Sequence, residues 1–145
     1  MKKIIYILLT FFLMNSVNAI EKTKQEKVAK FVLENIQKDY KSCYAFYKVA
    51  AETFEKNKAD KTVVNGLNKS ADITLKFTHD LGEVLAFKPK IMAENNQKEI
   101  KKLSQIAKKK FNKLADDYGL MCKNLVENQK QRIDYWEAKG NKKIK

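Results

Sequence analysis

Apolar residues recur at steps of three or four along most of the chain. This spacing places them on one face of an α-helix, and such a face is normally buried against other helices. The first series runs from Val28 to Phe54, and neither glycine nor proline interrupts residues 21–58. The pattern therefore predicts one long helix, followed by a polar turn in which Asp60 or Thr62 can cap the next helix.

Two further helices are predicted in the same way. Their apolar series cover residues 64–85 and 100–125. On the third helix a neighbouring apolar stripe continues beyond residue 125, and Lys139-Gly140 is predicted to end that helix. Two positions between the series can hold the turn. One is Pro89, because proline removes a helical hydrogen bond, and the other is the polar stretch 94–96.

The N-terminus has the pattern of a secretory signal peptide. Lys2 and Lys3 precede an apolar run over residues 4–14, and small residues precede a predicted cleavage after Ala19. The apolar run is shorter than the roughly 20 residues that a membrane-spanning helix needs. We therefore favour cleavage over an uncleaved anchor, and we expect an exported protein, periplasmic or secreted, with no transmembrane segment in the mature chain. The expected parts are a signal peptide (1–19), a helical bundle domain (20–138) and a basic C-terminal tail (139–145).

Cys43 and Cys122 are the two cysteines of the chain. In an exported protein, two cysteines most simply form one intramolecular disulfide, and two free thiols or an intermolecular bridge are the alternatives. If the first and third helices run parallel and the two cysteines are level, those helices match end to end. The second helix must then pass through a kink at Pro89 and end at a turn at 95–96.

This register predicts an all-α fold: an elongated three-helix up-down bundle that one disulfide staples. The alternative is a four-helix bundle with a break near Asp39 or Gly119. In the three-helix register, predicted neighbours lie on the first and third helices. These pairs are Asn57 with Trp136 at one end, Phe54 with Ile133 in a layer near that end, and Glu21 with Ile100 at the other end.

The charge of the chain is strongly positive, with 30 Lys+Arg against 17 Asp+Glu. Arg132 is the one arginine. Lysine is a hydrated point charge, whereas the planar fork of arginine reads bases, so we expect no sequence-specific binding of nucleic acid. The lysines are either a solvated surface or a face that docks to an anionic or acidic envelope component. The candidate docking residues on the third helix are Lys101, Lys102, Lys108, Lys109, Lys110 and Lys113.

Aromatic residues gather around the two cysteines in the predicted helices. They either line a narrow core with their polar tips outward, or form an aromatic surface that takes a partner or an apolar ligand. The candidate residues are Tyr40, Tyr44, Tyr47, Tyr118 and Trp136.

Catalytic and metal chemistry find little support in the sequence. His79 is the one histidine, with Glu83 a turn later, whereas zinc sites use about three or four protein ligands. Asp116 and Asp117 are adjacent, so their side chains point in different directions on a helix and do not form a catalytic pair. We expect no enzymatic activity, no cofactor and no metal.

The expected function is therefore binding. The leading hypothesis is an envelope-associated interaction protein whose lysine-rich face docks to an anionic or acidic partner that the sequence does not identify. The alternative is a carrier that holds haem or another apolar ligand between its helices. For haem, His79 and Met121 are the residue types that ligate iron.

Overall fold

The structure is a computed structural model that describes residues 19–144, with side chains from residue 23 onward. Every regular element in this part of the chain is an α-helix, as the hydrophobic spacing predicted. The count of four matches the four-helix alternative rather than the three-helix bundle. The predicted signal peptide lies outside the described residues, apart from Ala19. The helices are α1 (Ala19–Lys56), α2 (Lys61–Val84), α3 (Pro89–Glu127) and α4 (Gln129–Lys143).

The first turn joins α1 and α2 as an antiparallel hairpin. Asp60, one of the two predicted caps, accepts a hydrogen bond from the backbone N–H of Thr62 at 2.6 Å. This bond satisfies one of the free N–H groups at the start of α2. Further along the hairpin, Tyr40 of α1 stacks on Phe77 of α2, with ring centroids 4.8 Å apart.

The second turn lies immediately before Pro89, which is the first residue of α3. Ala86 adopts a left-handed φ of 57°, and the N–H of Phe87 donates to the carbonyl of Gly82 at 2.8 Å, so the chain leaves α2 here. At the first position of a helix, proline loses no hydrogen bond, because that N–H has no intrahelical acceptor. The predicted kink at Pro89 and turn at 95–96 are therefore wrong.

The third helix has two halves, residues 89–109 and 111–127. They meet at Lys110, whose φ of −152° and ψ of 72° are not helical. The first half begins beside the last turn of α2, where the side chain of Met92 fills the space next to Gly82. The first half of α3 therefore starts at the end of the bundle where the last turn of α2 lies against residues 26–33 of α1.

Contacts with α1 show in which direction the second half of α3 runs. Successive residues of the second half of α3 and of α4 contact positions progressively nearer to the start of α1. These segments are therefore antiparallel to α1. The pairs are Phe111 with Phe54, Tyr118 with Phe46, Cys122 with Cys43, Leu125 with Tyr40, Trp136 with Phe31, and Gly140 with Val28. Because α3 begins at one end of α1 and reaches Phe54 at the other, the chain reverses at Lys110. The bundle is thus up-down-up-down.

The disulfide between Cys43 and Cys122 is present, with a Cα–Cα distance of 5.3 Å. Cys43 lies 11 residues before Phe54, and Cys122 lies 11 residues after Phe111, so the reversal makes the two cysteines level. The predicted pairing of the two cysteines is confirmed. The assumption of parallel first and third helices fails for the second half of α3, which carries Cys122. A single disulfide fixes which residues are level and leaves the chain direction open.

The predicted register fails with that assumption. Trp136 packs edge-to-face on Phe31, with ring centroids 6.0 Å apart, and not beside Asn57. Phe54 packs on Phe111, at 5.7 Å, and not on Ile133.

The breaks between helical segments also differ from the predicted ones. Asp39 lies inside α1 and Gly119 lies inside α3, whereas the chain departs from helical dihedrals at Lys110 and at Asn128. Neither Lys110 nor Asn128 is a proline or a glycine, so the residue types at the two observed breaks do not mark them in the sequence.

The last helix continues to Lys143 and does not end at Lys139-Gly140 as predicted. Gly140 is buried against α1, since an added Cβ there would lie 3.1 Å from atoms of both Val28 and Phe31. Glycine at this position lets the backbone of α4 approach α1 closely.

The core follows α1, which packs against each of the other three helices. The apolar face predicted from Val28 to Phe54 is buried as far as Ala50, and Phe54 at its end is half-buried. The predicted face is therefore the central surface of the bundle. Its buried members are Val28, Val32, Ile36, Tyr40, Cys43, Tyr47 and Ala50.

Candidate functional site

All five candidate aromatic residues belong to the core or pack against it. Tyr40 and Tyr47 are buried, and Tyr44 and Tyr118 are half-buried against the core. Tyr118 stacks on Phe46 at 6.1 Å between ring centroids. These tyrosines thus lie between helices near the disulfide.

Burial also affects the acidity of these phenols. It raises the pKa of Tyr40, of Tyr44 and of Tyr47 above the ordinary value, because the charged phenolate loses its hydration. The negative charge of Asp72 adds to the rise of the Tyr44 pKa, and that of Glu127 to the rise of the Tyr47 pKa. The three side chains therefore remain neutral hydroxyls at physiological pH.

Trp136, which is half-buried against the core, also takes part in a polar cluster that joins α4 to α1. Its indole N–H donates to the carboxylate of Asp39 at 2.6 Å. Arg132 donates to the same carboxylate from Nε at 2.6 Å and from Nη2 at 3.2 Å. The guanidinium also lies over the rings of Tyr135 and Trp136, 4.5 and 4.9 Å from their centroids. The one arginine of the chain is thus used within the molecule.

Sequence reasoning did not find the Asp39–Arg132 pair. The two residues are 93 positions apart, and each resembles an ordinary charged residue on a helix. The one sequence signal for this pair is the position of Asp39, an acidic residue next to the predicted apolar face of the first helix. A buried carboxylate needs a partner.

Beside this cluster, Tyr135 is exposed and surrounded by positive charge. A hydrogen bond from Lys139, together with the charges of Lys139 and Arg132, lowers the pKa of Tyr135. The ammonium of Lys139 lies 4.6 Å from the ring centroid of Tyr135. The outer face of α4 therefore combines lysine with the exposed ring of Tyr135.

The six candidate lysines of α3 are all exposed, but the structure separates them into two places. Lys101 and Lys102 lie within the first half of α3, whereas Lys108 to Lys110 lie at the reversal and Lys113 just after it. Two of the six have carboxylate partners: Lys102 with Glu99 at 3.0 Å and Lys113 with Asp117 at 3.1 Å. The other four take part in none of the ion pairs of the described residues.

The residue types considered for haem or metal lie on two helices. His79 is half-buried on α2, and Met121 is packed against the core from α3. Between residues 19 and 144, no group of three or more His, Cys, Asp or Glu residues could hold a metal ion.

A shallow cavity of about 360 Å³, open to solvent, lies between α1 and the end of α2. Close to it, Val84, Phe87 and Ile91 expose large apolar side chains around the α2–α3 turn. This end of the molecule is therefore partly apolar. The cavity is lined by Glu26, Ala29, Lys30, Leu33, Val84, Leu85 and Ala86.

None of the helices in the described part of the chain is long and apolar enough to span a bilayer. No protein-family model matches this chain, and no curated protein or solved structure matches it either. What the fold and surface define is a class: a small α-helical bundle, stapled by one disulfide, with exposed lysines on α3.

Proposed function

We propose that this protein is exported and acts by binding, and that its lysine-rich surface docks to an anionic or acidic component of the envelope. The observation that carries the proposal concerns four of the six candidate lysines. Lys101, Lys108, Lys109 and Lys110 are exposed and belong to none of the ion pairs among the described residues. Their charges are not offset by adjacent carboxylates, so they are available to attract an anionic partner.

Two other features support this proposal. The one arginine is half-buried and its charge is paired with Asp39, so the uncompensated positive charge on the described surface comes from lysine. Lysine favours diffuse electrostatic attraction over recognition of a particular anion in a fixed geometry. The disulfide between Cys43 and Cys122 supports export, because disulfides persist in oxidising compartments.

The test is the salt dependence of binding to a washed envelope fraction. Raising the ionic strength from about 0.01 M to about 1 M shortens the Debye length from about 30 Å to about 3 Å, so bound protein should be released. Binding that is absent at low salt, or that persists unchanged at high salt, would contradict the proposal.

A matched pair of variants makes the test specific to the candidate lysines. One variant changes Lys101, Lys108, Lys109 and Lys110 to Gln. The control changes the same number of exposed lysines elsewhere, so that the two variants have equal net charge. The first variant should bind less than the control, and equal binding would mean that only net charge matters. The control positions are Lys24, Lys27, Lys38 and Lys69.

A carrier of an apolar ligand is the second candidate, and the cavity beside the end of α2 is the observation in its favour. At about 360 Å³ it lies near the lower limit of ligand sites, which start at about 300 Å³. Its lining contains neither His nor Met, so it suits an apolar ligand better than haem. Mass spectrometry of a solvent extract of the purified protein tests this candidate. A co-purifying lipid supports it, and a bare protein contradicts it.

A further inference from the structure

Two turns of the chain meet at one end of the bundle. The ring of Phe54, near the end of α1, lies 5.7 Å from the ring of Phe111, the residue that follows the reversal of α3. The α1–α2 turn, residues 57–60, therefore lies beside the bend at Lys110. Exposed lysines flank both turns. We call this set the lysine pole: Lys56, Lys58, Lys61, Lys108, Lys109 and Lys110.

The charge of the lysine pole is poorly compensated. Within the described part of the chain, none of its six lysines belongs to an ion pair. Two exposed carboxylates flank the same turn, Glu55 and Asp60, and that of Asp60 is engaged with the backbone N–H of Thr62. The pole therefore has a net positive charge that is directed to solvent.

Helix stability accounts for only part of this arrangement. Lys56 lies in the last turn of α1, where a positive charge offsets the helix dipole. Lys61 is the first residue of α2, where a positive charge opposes the dipole, and the first turn of α2 contains no acidic residue. The positive charge at Lys61 thus has no explanation in the stability of α2.

We propose that the bundle docks end-on to a bilayer of anionic phospholipids, with the lysine pole against the headgroups. This inference rests on the proposed function, and it names the docking surface and the partner. Clusters of about four to eight basic residues are attracted to anionic lipid surfaces, and that attraction falls off within a Debye length of about 8 Å. Because the six lysines share one end of the bundle, they can come within this distance of a flat surface together. Flexible ammonium groups suit mobile headgroups, which offer no fixed geometry for a guanidinium.

The opposite end of the bundle makes the orientation testable, because its surface differs. Phe87 and Ile91, near the α2–α3 turn, are 41% and 47% exposed, and Lys88 and Lys90 lie beside them. An end of this composition would combine attraction by Lys88 and Lys90, which salt screens, with burial of Phe87 and Ile91 in the bilayer, which salt does not screen. Part of its binding would therefore persist at high salt. The lysine pole would bind by charge, and salt would release it.

The experiment is sedimentation with vesicles of phosphatidylglycerol and phosphatidylcholine, compared with vesicles of phosphatidylcholine alone. It uses protein recovered from the exported fraction, with its N-terminus determined by mass spectrometry, because an uncleaved apolar segment would bind both kinds of vesicle. We expect binding to the mixed vesicles at low salt, release at high salt and no binding to phosphatidylcholine alone.

Two triple variants then locate the docking surface. Changing Lys58, Lys109 and Lys110 to Gln should weaken binding to the mixed vesicles by about a hundredfold, at about fivefold for each lysine at the surface. The control has the same net charge, and it should weaken binding much less. It changes Lys24, Lys27 and Lys69 to Gln, three exposed lysines outside the pole. Circular dichroism verifies that both variants keep the helical fold.

Other outcomes overturn the proposal in distinguishable ways. Equal weakening by the two triple variants would overturn end-on docking and leave the proposed function in place. Salt-resistant binding that is lost when Phe87 and Ile91 become Ser would assign docking to the opposite end. Salt-sensitive binding to the envelope fraction, without binding to the vesicles, would exclude phospholipid as the partner and point to an acidic protein. If neither the envelope fraction nor the vesicles bind, the proposed function fails as well.

Discussion

At the scale of single residues, Asp39 holds the attachment of α4 to α1. Its side chain accepts hydrogen bonds from Arg132 and from Trp136, and the residue is 8% exposed. We expect Asp39→Ala to lower the free energy of unfolding by about 2 kcal/mol, because it leaves a half-buried guanidinium and an indole N–H without their acceptor. Urea unfolding followed by Trp136 fluorescence measures this loss. Lys38→Ala, at the exposed neighbouring position, should change stability by less than about 0.5 kcal/mol, and equal losses would contradict the assignment.

Tyr40 should make stability depend on pH in alkaline solution. Burial raises its pKa above the ordinary value of about 10, so the unfolded chain ionises first. The contribution of Tyr40 is fully present below about pH 10 and is lost as the pH rises towards the pKa in the folded protein. We therefore expect the free energy of unfolding to fall between pH 7 and about pH 11, and to fall less in Tyr40→Phe.

At pH 7, Tyr40→Phe should cost at most about 1 kcal/mol, because the hydrogen bond from its hydroxyl to the carbonyl of Leu125 is long, at 3.5 Å. Tyr135→Phe is the control, since the pKa of Tyr135 is lowered rather than raised. Urea unfolding at the two pH values gives both comparisons. The same alkaline loss in Tyr40→Phe and in the wild type would contradict the role of Tyr40.

At the scale of elements, the two glycines of α2 should respond differently to alanine. Glycine within a helix costs about 1 kcal/mol relative to alanine. An added Cβ at Gly66 meets open space, so Gly66→Ala should raise the free energy of unfolding by roughly that amount. At Gly82 the Cβ would need the space that the buried side chain of Met92 occupies, so Gly82→Ala should gain nothing or lose stability. Equal gains in urea unfolding would show that Met92 moves away without cost.

The disulfide links α1 to the second half of α3, and it should stabilise the bundle without determining its helices. Replacing both Cys43 and Cys122 by Ser should lower the free energy of unfolding by about 4 kcal/mol in the chain-entropy model, since the closed loop is long. Far-UV circular dichroism should not change under native conditions, because Tyr40 packs with Leu125 on one side of the link and Phe46 packs with Tyr118 on the other. A loss of helix in the variant, or no loss of stability, would contradict this expectation.

At the scale of the whole molecule, the sequence predicts cleavage after Ala19. Protein recovered from an exported fraction should therefore begin at or near Ile20, and no thiol should react before denaturation and reduction. N-terminal sequencing and thiol titration measure these outcomes. An intact Met1 in that fraction would refute cleavage.

The sequence predicted that the candidate surface is rich in lysine, but it did not predict which lysines lie close together. Charge counting already indicated that α3 has many lysines, and they are exposed. The neighbourhood of Lys58 and Lys110 was not predictable, because 52 residues separate them along the chain and only the reversal of α3 brings their turns together. The pair of Asp39 and Arg132, 93 residues apart, was hidden for the same reason.

The sequence by itself determined the helical character of residues 19–144, the buried face of α1 and the pairing of Cys43 with Cys122. The first two are local properties, which the spacing of apolar residues at about 3.6 residues per turn shows directly. The pairing follows from the presence of two cysteines. Only the tertiary structure decided the direction of the segment that carries Cys122, since the disulfide is compatible with parallel and with antiparallel neighbours. The decision lies at Lys110, where neither glycine nor proline marks a turn. The reversal there lets Phe111 pack on Phe54 and extends the second half of α3 and α4 along the apolar face of α1, a gain in burial that no local pattern records.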